Sequence, residues 1–548
     1  MKFVFSFIMM VTLMAPSYSQ TLQEGQQFYY YERFESAGHL FHEVIQKDPN
    51  NAEAWCWLIR SCFAQGKWKN AADTLLKAPT QISEDPFYQA ALAGVLLNTD
   101  QVDKANSLFQ NAIEKTKSKN VPLLAAIADI LIMSEKGDMT YTLNLLQAAI
   151  KREKKNADLY VSRGKVYRKL HDGTAAYRAF SEAIDRNKHA AAAYYEMGKI
   201  FVTQKNTAMH NEYFKKAIEA DNRYSPAYYA LYTYNLYTDP AKAFEYFRQY
   251  AANADPSLQQ QYDMADLLYL NKKYDSAISL ANKLMASEGD SMQTRLFKLI
   301  SYSYMEKKDS ASAMGYMQAY LANETDSNFI AKDFETTSLL YNRIPGKQDS
   351  AMYYLEKAAG LSTDEKTILN YYRQLAAYAK ASGNNAAEAK WIGKIYEKDS
   401  NANNVTLFNW GLAAYKAEDF VQADSIFEIY TTKYPEQGFG YYWRARSNAA
   451  IDTTMEQGLA IPHYQKLLEV IDIDSASATD KKWMKEAYGY LASFEANTEK
   501  DYDDAVTYFE KLLVVDPTNE QAKQNIEILV KFIEKKKEVE TESADQAQ

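Results

Sequence analysis

Few residues in this 548-residue sequence stand at spacings that do chemistry. His39 and His42, at i and i+3 with Glu43 beside them, put two imidazoles on one helix face, the arrangement by which a helix grips a metal ion. No third ligand accompanies them, and surface histidines are the commoner case, so no metal site is expected. Asp472-Ile-Asp474-Ser-Ala-Ser-Ala-Thr-Asp480 sets carboxylates at loop spacing, but it lacks the glycine a calcium loop needs at its sharp turn and reads as a solvated linker. There is no phosphate-cradling glycine loop, no Gly-x-Ser-x-Gly elbow and no His-Glu-x-x-His. Cys56 and Cys62 are the only cysteines. Six residues along one helix separate them by roughly 9 Å of rise, too far for a disulfide, and two buried thiols are expected. The residues therefore point to neither an enzyme nor a cofactor protein.

What the chain has in quantity is aromatic: 44 Tyr and 24 Phe. Their spacing describes the elements that hold them. Tyr160, Gly164, Phe180 and Ala183 recur as Tyr194, Gly198, Phe214 and Ala217, each pair 34 positions apart (198 against 164). This is an internal repeat. Tyr160, Gly164 and Tyr167 share one helical face, as do Ala176, Phe180 and Ala183, so each unit between Ala157 and Tyr224 is two amphipathic helices. Small residues stand where the helices approach closely, and large aromatics fill the gaps.

The order Tyr-x-x-x-Gly-x-x-Tyr followed by Ala-x-x-x-Phe-x-x-Ala at this period resembles the tetratricopeptide repeat. That resemblance implies an all-α fold, an α-solenoid in which helical hairpins stack into a right-handed superhelix. It implies function only as a class, a scaffold for protein or peptide segments. Matching residues extend along the chain, from Ala37 and Phe41 through Ala105 and Phe109 to Gly411 and Phe427 and finally Ala505 and Phe509. Asp-Pro marks junctions at Pro49, Pro86, Pro240, Pro256 and Pro517, where proline suits the first turn of the next helix. About fourteen units are expected over residues 20–517 as one undivided array, with an insertion near Asp452 to Gly458. A capping helix over 518–537 covers the last apolar face, and a polar, disordered tail over 538–548 ends the chain.

The opening MKFVFSFIMMVTLMAPSYSQ reads as a secretory signal peptide: Lys2, an apolar stretch from Phe3 to Ala15, Pro16, and small residues Ser17 and Ser19 before a cut that leaves Gln20 first. The apolar run is shorter than the ~18–20 residues a membrane span needs, as is Val121 to Met133, so no transmembrane segment is expected after cleavage. The expected location is the periplasm or the periplasmic face of a bacterial envelope. Lys+Arg 62 against Asp+Glu 71 gives a net charge of −9 with the signs mixed along the chain, so nucleic acid is not an expected partner. Asp-Ser followed by an aliphatic residue recurs at Asp275, Asp309, Asp349, Asp424 and Asp474. It resembles the acceptor motif of an O-glycosylation system of some Gram-negative envelopes, and it equally suits a helix start, where Asp or Ser caps free N–H groups.

In the tetratricopeptide pattern the first helix of each unit lines a concave groove through its positions 2, 5, 9 and 12. With Ala157 as position 1, position 9 is Lys165 and then Lys199, and position 5 is Val161, Tyr195 and Tyr229, a basic and aromatic patch in mid-array. Val161 and Lys165 are not the Lys and Asn by which the heat-shock chaperone type holds a C-terminal carboxylate, so that activity does not carry over. In the C-terminal units position 5 is Tyr372, Phe408, Tyr442 and Tyr490, with Tyr415, Arg446 and Phe494 nearby. These form either a binding ladder along the groove, with Phe408, Tyr442 and Tyr490 as anchors and Arg446 as polar contact, or packing between repeats. The function expected is an exported scaffold for protein–protein interaction or complex assembly. The alternative is a glycan- or peptidoglycan-associated binder whose aromatics stack on sugar faces.

Overall fold

The computed structural model describes residues 18–287 and 293–546. The expected signal peptide lies outside the described residues except for Tyr18 and Ser19, which open the first helix, α1 (Tyr18–Tyr30). Among the described residues there are 29 α-helices and no strand, and the helices follow one another in packed pairs. The fold is an α-solenoid.

The two units with the clearest pattern show how the sequence builds a pair. Helix Ala157–Lys169 starts where Asn156 accepts from the Asp158 N–H at 3.2 Å. It ends at His171, which takes a left-handed φ of 60° so that the chain can reverse. Asp172 then caps Gly173–Arg186 by accepting from the Ala175 N–H at 2.8 Å. Ala176, Phe180 and Ala183 face inward and are fully buried. Helices Ala191–Thr203 and Thr207–Ala220 repeat the plan, with Asn206 as the second cap. The apolar stretch Val121–Met133 is one helix buried along most of its length. Among the described residues no helix is long and apolar enough to cross a membrane.

The chain divides into two compact units, Met1–Lys307 and Lys308–Gln548. The division falls between two helices, Gln293–Glu306 and Ser310–Asn323, joined by an ordinary short turn, so no linker composition marks it. Unit 1 holds eight packed helix pairs and then Gln293–Glu306. Unit 2 opens on Ser310–Asn323, continues with five pairs and ends in Glu520–Gln546. That last helix runs past its expected end at 537, because residues 531–546 are rich in Lys and Glu, which favour helix, and contain no Gly or Pro.

Other expectations need smaller corrections. Cys56 is buried, and burial pushes its thiol up to about 12. Cys62 is only half-buried. Of the Asp-Ser pairs, Asp309 caps a helix by accepting from the Ser312 N–H at 3.1 Å. Asp424 does not: it lies inside Phe420–Lys433 and accepts from Arg444 at 2.9 Å and Asn448 at 2.6 Å.

The glycine of each clear pair lies under the ring of its phenylalanine. A methyl group added at Gly411 would stand 2.6 Å from the Phe427 ring, whereas one added at Gly315 meets nothing within 4 Å. Both glycines are helical and both belong to unit 2. Gly411→Ala should lower the unfolding free energy of unit 2 by about 1–3 kcal/mol through overpacking. Gly315→Ala should raise it by about 0.5–1 kcal/mol by removing backbone freedom from the unfolded chain. Urea unfolding followed by circular dichroism checks both signs.

Candidate functional site

The C-terminal register was the place to look for a ladder, and the structure converts part of it into a pocket. Helix Gly438–Ile451 carries Tyr442 and Arg446 one turn apart, and helix Ala478–Phe494 carries Glu486 and Tyr490 at the same spacing. Between these helices in sequence, the insertion after Ile451 turns through Met455 and Gly458, both at positive φ. Buried Asp452 anchors that turn by accepting from the Gln457 N–H at 3.0 Å. The result is a cavity of about 470 Å³ whose walls include Tyr415, Arg446, Met455, Tyr464, Glu486 and Tyr490.

Glu486 is its electrostatic centre. It accepts from the Tyr442 hydroxyl at 2.9 Å and the Tyr464 hydroxyl at 3.1 Å, and its carboxylate lies 3.2 Å from Nε of Arg446. The Arg446 guanidinium lies 5.6 Å from the Tyr415 ring centre and 5.4 Å from that of Trp443, within cation–π range. Its side chain remains 37% exposed, so it can also meet a ligand. Burial first, and the Glu486 charge second, push the Tyr442 hydroxyl up to about 12. The same two causes raise Tyr464 further, and burial with the Asp452 charge raises Tyr490. These phenols are therefore hydrogen-bond donors throughout the physiological range. Two of them are spent on Glu486. The Tyr490 hydroxyl is buried and meets no partner among the described residues, which costs free energy.

The remaining ladder residues separate. The register of Tyr442 allows either a groove position or packing between repeats. Tyr442 is 4% exposed and stacks on Trp483 with ring centres 4.8 Å apart, so it is a backing residue that a partner cannot reach. Phe408 is half-buried between Phe427 and Phe439 at 6.4 and 5.6 Å. Tyr372 lies against Trp391 at 5.4 Å, with Lys394 over its ring. Phe494 covers Gly458 of the insertion turn. Tyr415, Arg446 and Tyr490 share the pocket, whereas Phe408 and Tyr372 pack between helices. Sequence reasoning missed Glu486 and Tyr464. The legible signal was that Glu486 stands one helical turn before Tyr490, on the face already assigned to the groove.

In unit 1 the register residues are faced by the chain itself. Tyr195 packs against Phe214 and Tyr224, with Lys199 over its ring at 5.1 Å. Lys199 also pairs with buried Glu196 at 3.0 Å. Lys165 is half-buried, and the carboxylates of Glu196, Asp129, Glu32 and Asp158 together outweigh burial and raise its pKa. Tyr229 remains 45% exposed. His39 and His42 are both exposed on helix α2 (Phe34–Lys47). Among the described residues no three His, Cys, Asp or Glu side chains come together as metal ligands.

With this geometry in view, residues 29–95 and 161–225 each match a model of the tetratricopeptide repeat. No curated protein matches the chain. Among solved structures, the C-terminal part of a TPR repeat-containing protein from Cytophaga hutchinsonii is 28% identical, with 48% of this chain and 99% of that one covered and a TM-score of 0.29. YrrB, described as a TPR protein with an unusual peptide-binding site, is 19% identical over 33% of this chain and 93% of its own, at a TM-score of 0.30. A tetratricopeptide repeat protein from Parabacteroides merdae is 14% identical over 52% and 96%, at 0.22.

The pocket separates two kinds of tyrosine, and stability measurements distinguish them. Tyr442→Ala should cost about 3–5 kcal/mol, as should Phe427→Ala, because each removes a buried ring. Tyr490→Phe removes a hydroxyl with no protein partner and should leave stability unchanged or raise it by about 1 kcal/mol. Thermal melts of the three variants test the distinction.

Proposed function

We propose that this protein is an exported scaffold of the bacterial envelope, and that it captures polypeptide segments at the unit 2 pocket. Its tetratricopeptide repeats suggest protein–protein interaction. The observation that carries the choice of site is the half-exposed Arg446, already oriented by Glu486, in the wall of that pocket. Arg446 is a donor, so the ligand presents an acceptor. The Tyr415 and Tyr490 rings line the pocket beside it, and a backbone carbonyl of an extended segment meets the requirement. Arg and Tyr are also the residues that most often dominate binding energy. The same two rings favour the glycan reading, in which a sugar face stacks on tyrosine.

Pull-down from envelope extract, followed by mass spectrometry, separates these readings. Arg446→Ala should reduce capture of a polypeptide partner at least tenfold, with a melting temperature close to that of the parent. Retention of capture in that variant would exclude the pocket. Recovery of saccharide without polypeptide would favour the alternative.

Export rests on the pattern of residues 1–19. The mature protein from native cells should begin at Gln20 by intact-mass measurement. A mass that includes Met1 would contradict export and the envelope location with it.

A further inference from the structure

The turn joining α1 to α2 differs from its counterparts in the array. Its residues Tyr29-Tyr30-Tyr31-Glu32-Arg33 reverse the chain through Glu32 at a φ of 58°, as His171 does in the later pair. The turn Lys169 to Gly173 is exposed, whereas Tyr31 is 3% exposed and Tyr29, Tyr30 and Arg33 are half-buried. What covers them is the groove of their own unit. The Tyr29 hydroxyl donates to Asp129 at 2.7 Å, and the Tyr31 hydroxyl donates to Asp221 at 2.8 Å. The Tyr30 hydroxyl accepts from the Ala192 N–H at 3.2 Å, and the Ser225 hydroxyl donates to the Tyr31 carbonyl at 2.9 Å.

The start of α2 shows the same dependence. Its N-cap position is Arg33, whose side chain caps nothing. Asp255, in the loop between helices Pro240–Asn253 and Leu258–Leu270, supplies the missing acceptor. Its carboxylate takes the Glu35 N–H at 2.7 Å and the Ser36 N–H at 3.3 Å, and it pairs with Arg33 at 3.4 Å. A residue 220 positions away thus does the work of an N-cap. Ala37, Phe41, Val44 and Ile45 of α2 form a cluster with helix Ala52–Ala64 and Ile82. Tyr31 belongs to the main core of the unit, and Phe28 and Tyr30 pack against it. Rings hold the turn as well, Tyr30 against Tyr224 at 5.5 Å and Tyr29 against Trp57 at 5.2 Å, beside polar contacts that exchange for water at modest cost.

We infer that the groove of unit 1 is a binding site for a polypeptide turn, filled in cis by the α1–α2 turn, so that a partner must displace that turn to enter. The ligand class follows from the occupant: a tight turn that presents phenol hydroxyls to Asp129 and Asp221 and opens a helix whose first N–H groups reach Asp255. This site is separate from the unit 2 pocket and stands whether or not that pocket binds a partner.

The test uses the full-length chain with Tyr29→Phe, Tyr31→Phe and Arg33→Ala, which weaken the occupant and leave the groove carboxylates intact. The probe is a fluorescein-labelled synthetic peptide of residues 26–37. Amide exchange at residues 31–36 should be at least tenfold faster in the variant. The probe should bind the variant at least tenfold more tightly than the parent, and adding Asp255→Ala should abolish the gain. If the triple variant loses helicity, Arg33→Ala alone is measured in the same way, with a smaller change of the same sign expected. Unchanged exchange would show the turn to be a fixed part of the fold and overturn the inference. Faster exchange without probe binding, or equal binding to parent and variant, would overturn it too.

Discussion

The contact on which this architecture depends is an aromatic ring set on a glycine. In the pair Ala157–Arg186 the Phe180 ring lies over Gly164, and Phe214 over Gly198, Phe427 over Gly411 and Phe41 over Gly25 repeat it. The ring fills the space a side chain would take, so the two helices approach closely and the hairpin has one spacing. Where the local sequence changes, the partner changes and the contact persists. Gly94 is met by Phe63 from the preceding helix pair and by Ile130 from the following one, and Gly393 is met by Trp410 of the next. Each contact is local or reaches the neighbouring unit, which is why a chain of this length needs no single large core.

Fixed helix spacing leaves the faces that line the grooves to polar chemistry, and the two units use theirs differently. Unit 1 spends it on itself. Arg60 and Asp129 pair at 2.7 Å with Arg60 fully enclosed, and Glu196 is held between Lys199 and Arg168, so the charges near the α1–α2 turn are compensated by one another. Unit 2 compensates one carboxylate, Glu486, with two phenols and an arginine, and leaves the Tyr490 hydroxyl unpaired in the wall of a cavity.

The fold was legible because its cause is short-range. Tyr160, Gly164, Phe180 and Ala183 already state which faces meet, and the 34-residue step states how often. The division at Lys307 was not legible, since it falls in a turn like any other. The site was half legible. Position 5 of the repeat located the right helices, and Tyr415, Arg446 and Tyr490 do converge. Yet register alone does not say whether a ring meets a neighbour or open space: Tyr442 has Trp483 to stack on, and Phe408 has Phe439. Glu486 shares the groove face of Tyr490, one turn before it, but that position does not disclose the two phenols and the arginine that converge on its carboxylate. The contacts of the α1–α2 turn span 100 to 222 positions and follow from how the helices coil, which local periodicity does not encode.

The central claim is that partners engage unit 2 at its pocket while the groove of unit 1 is already filled. Cross-linking mass spectrometry on the native complex, isolated from cells through the full-length chain, tests this most directly. The account predicts partner cross-links on side chains at the rim of helices Gly438–Ile451 and Ala478–Phe494, such as Lys481, Lys482 and Lys485, and none on Lys165 or Lys199. Partner cross-links concentrated on Lys165 and Lys199 in the parent protein, with the unit 2 helices silent, would contradict it.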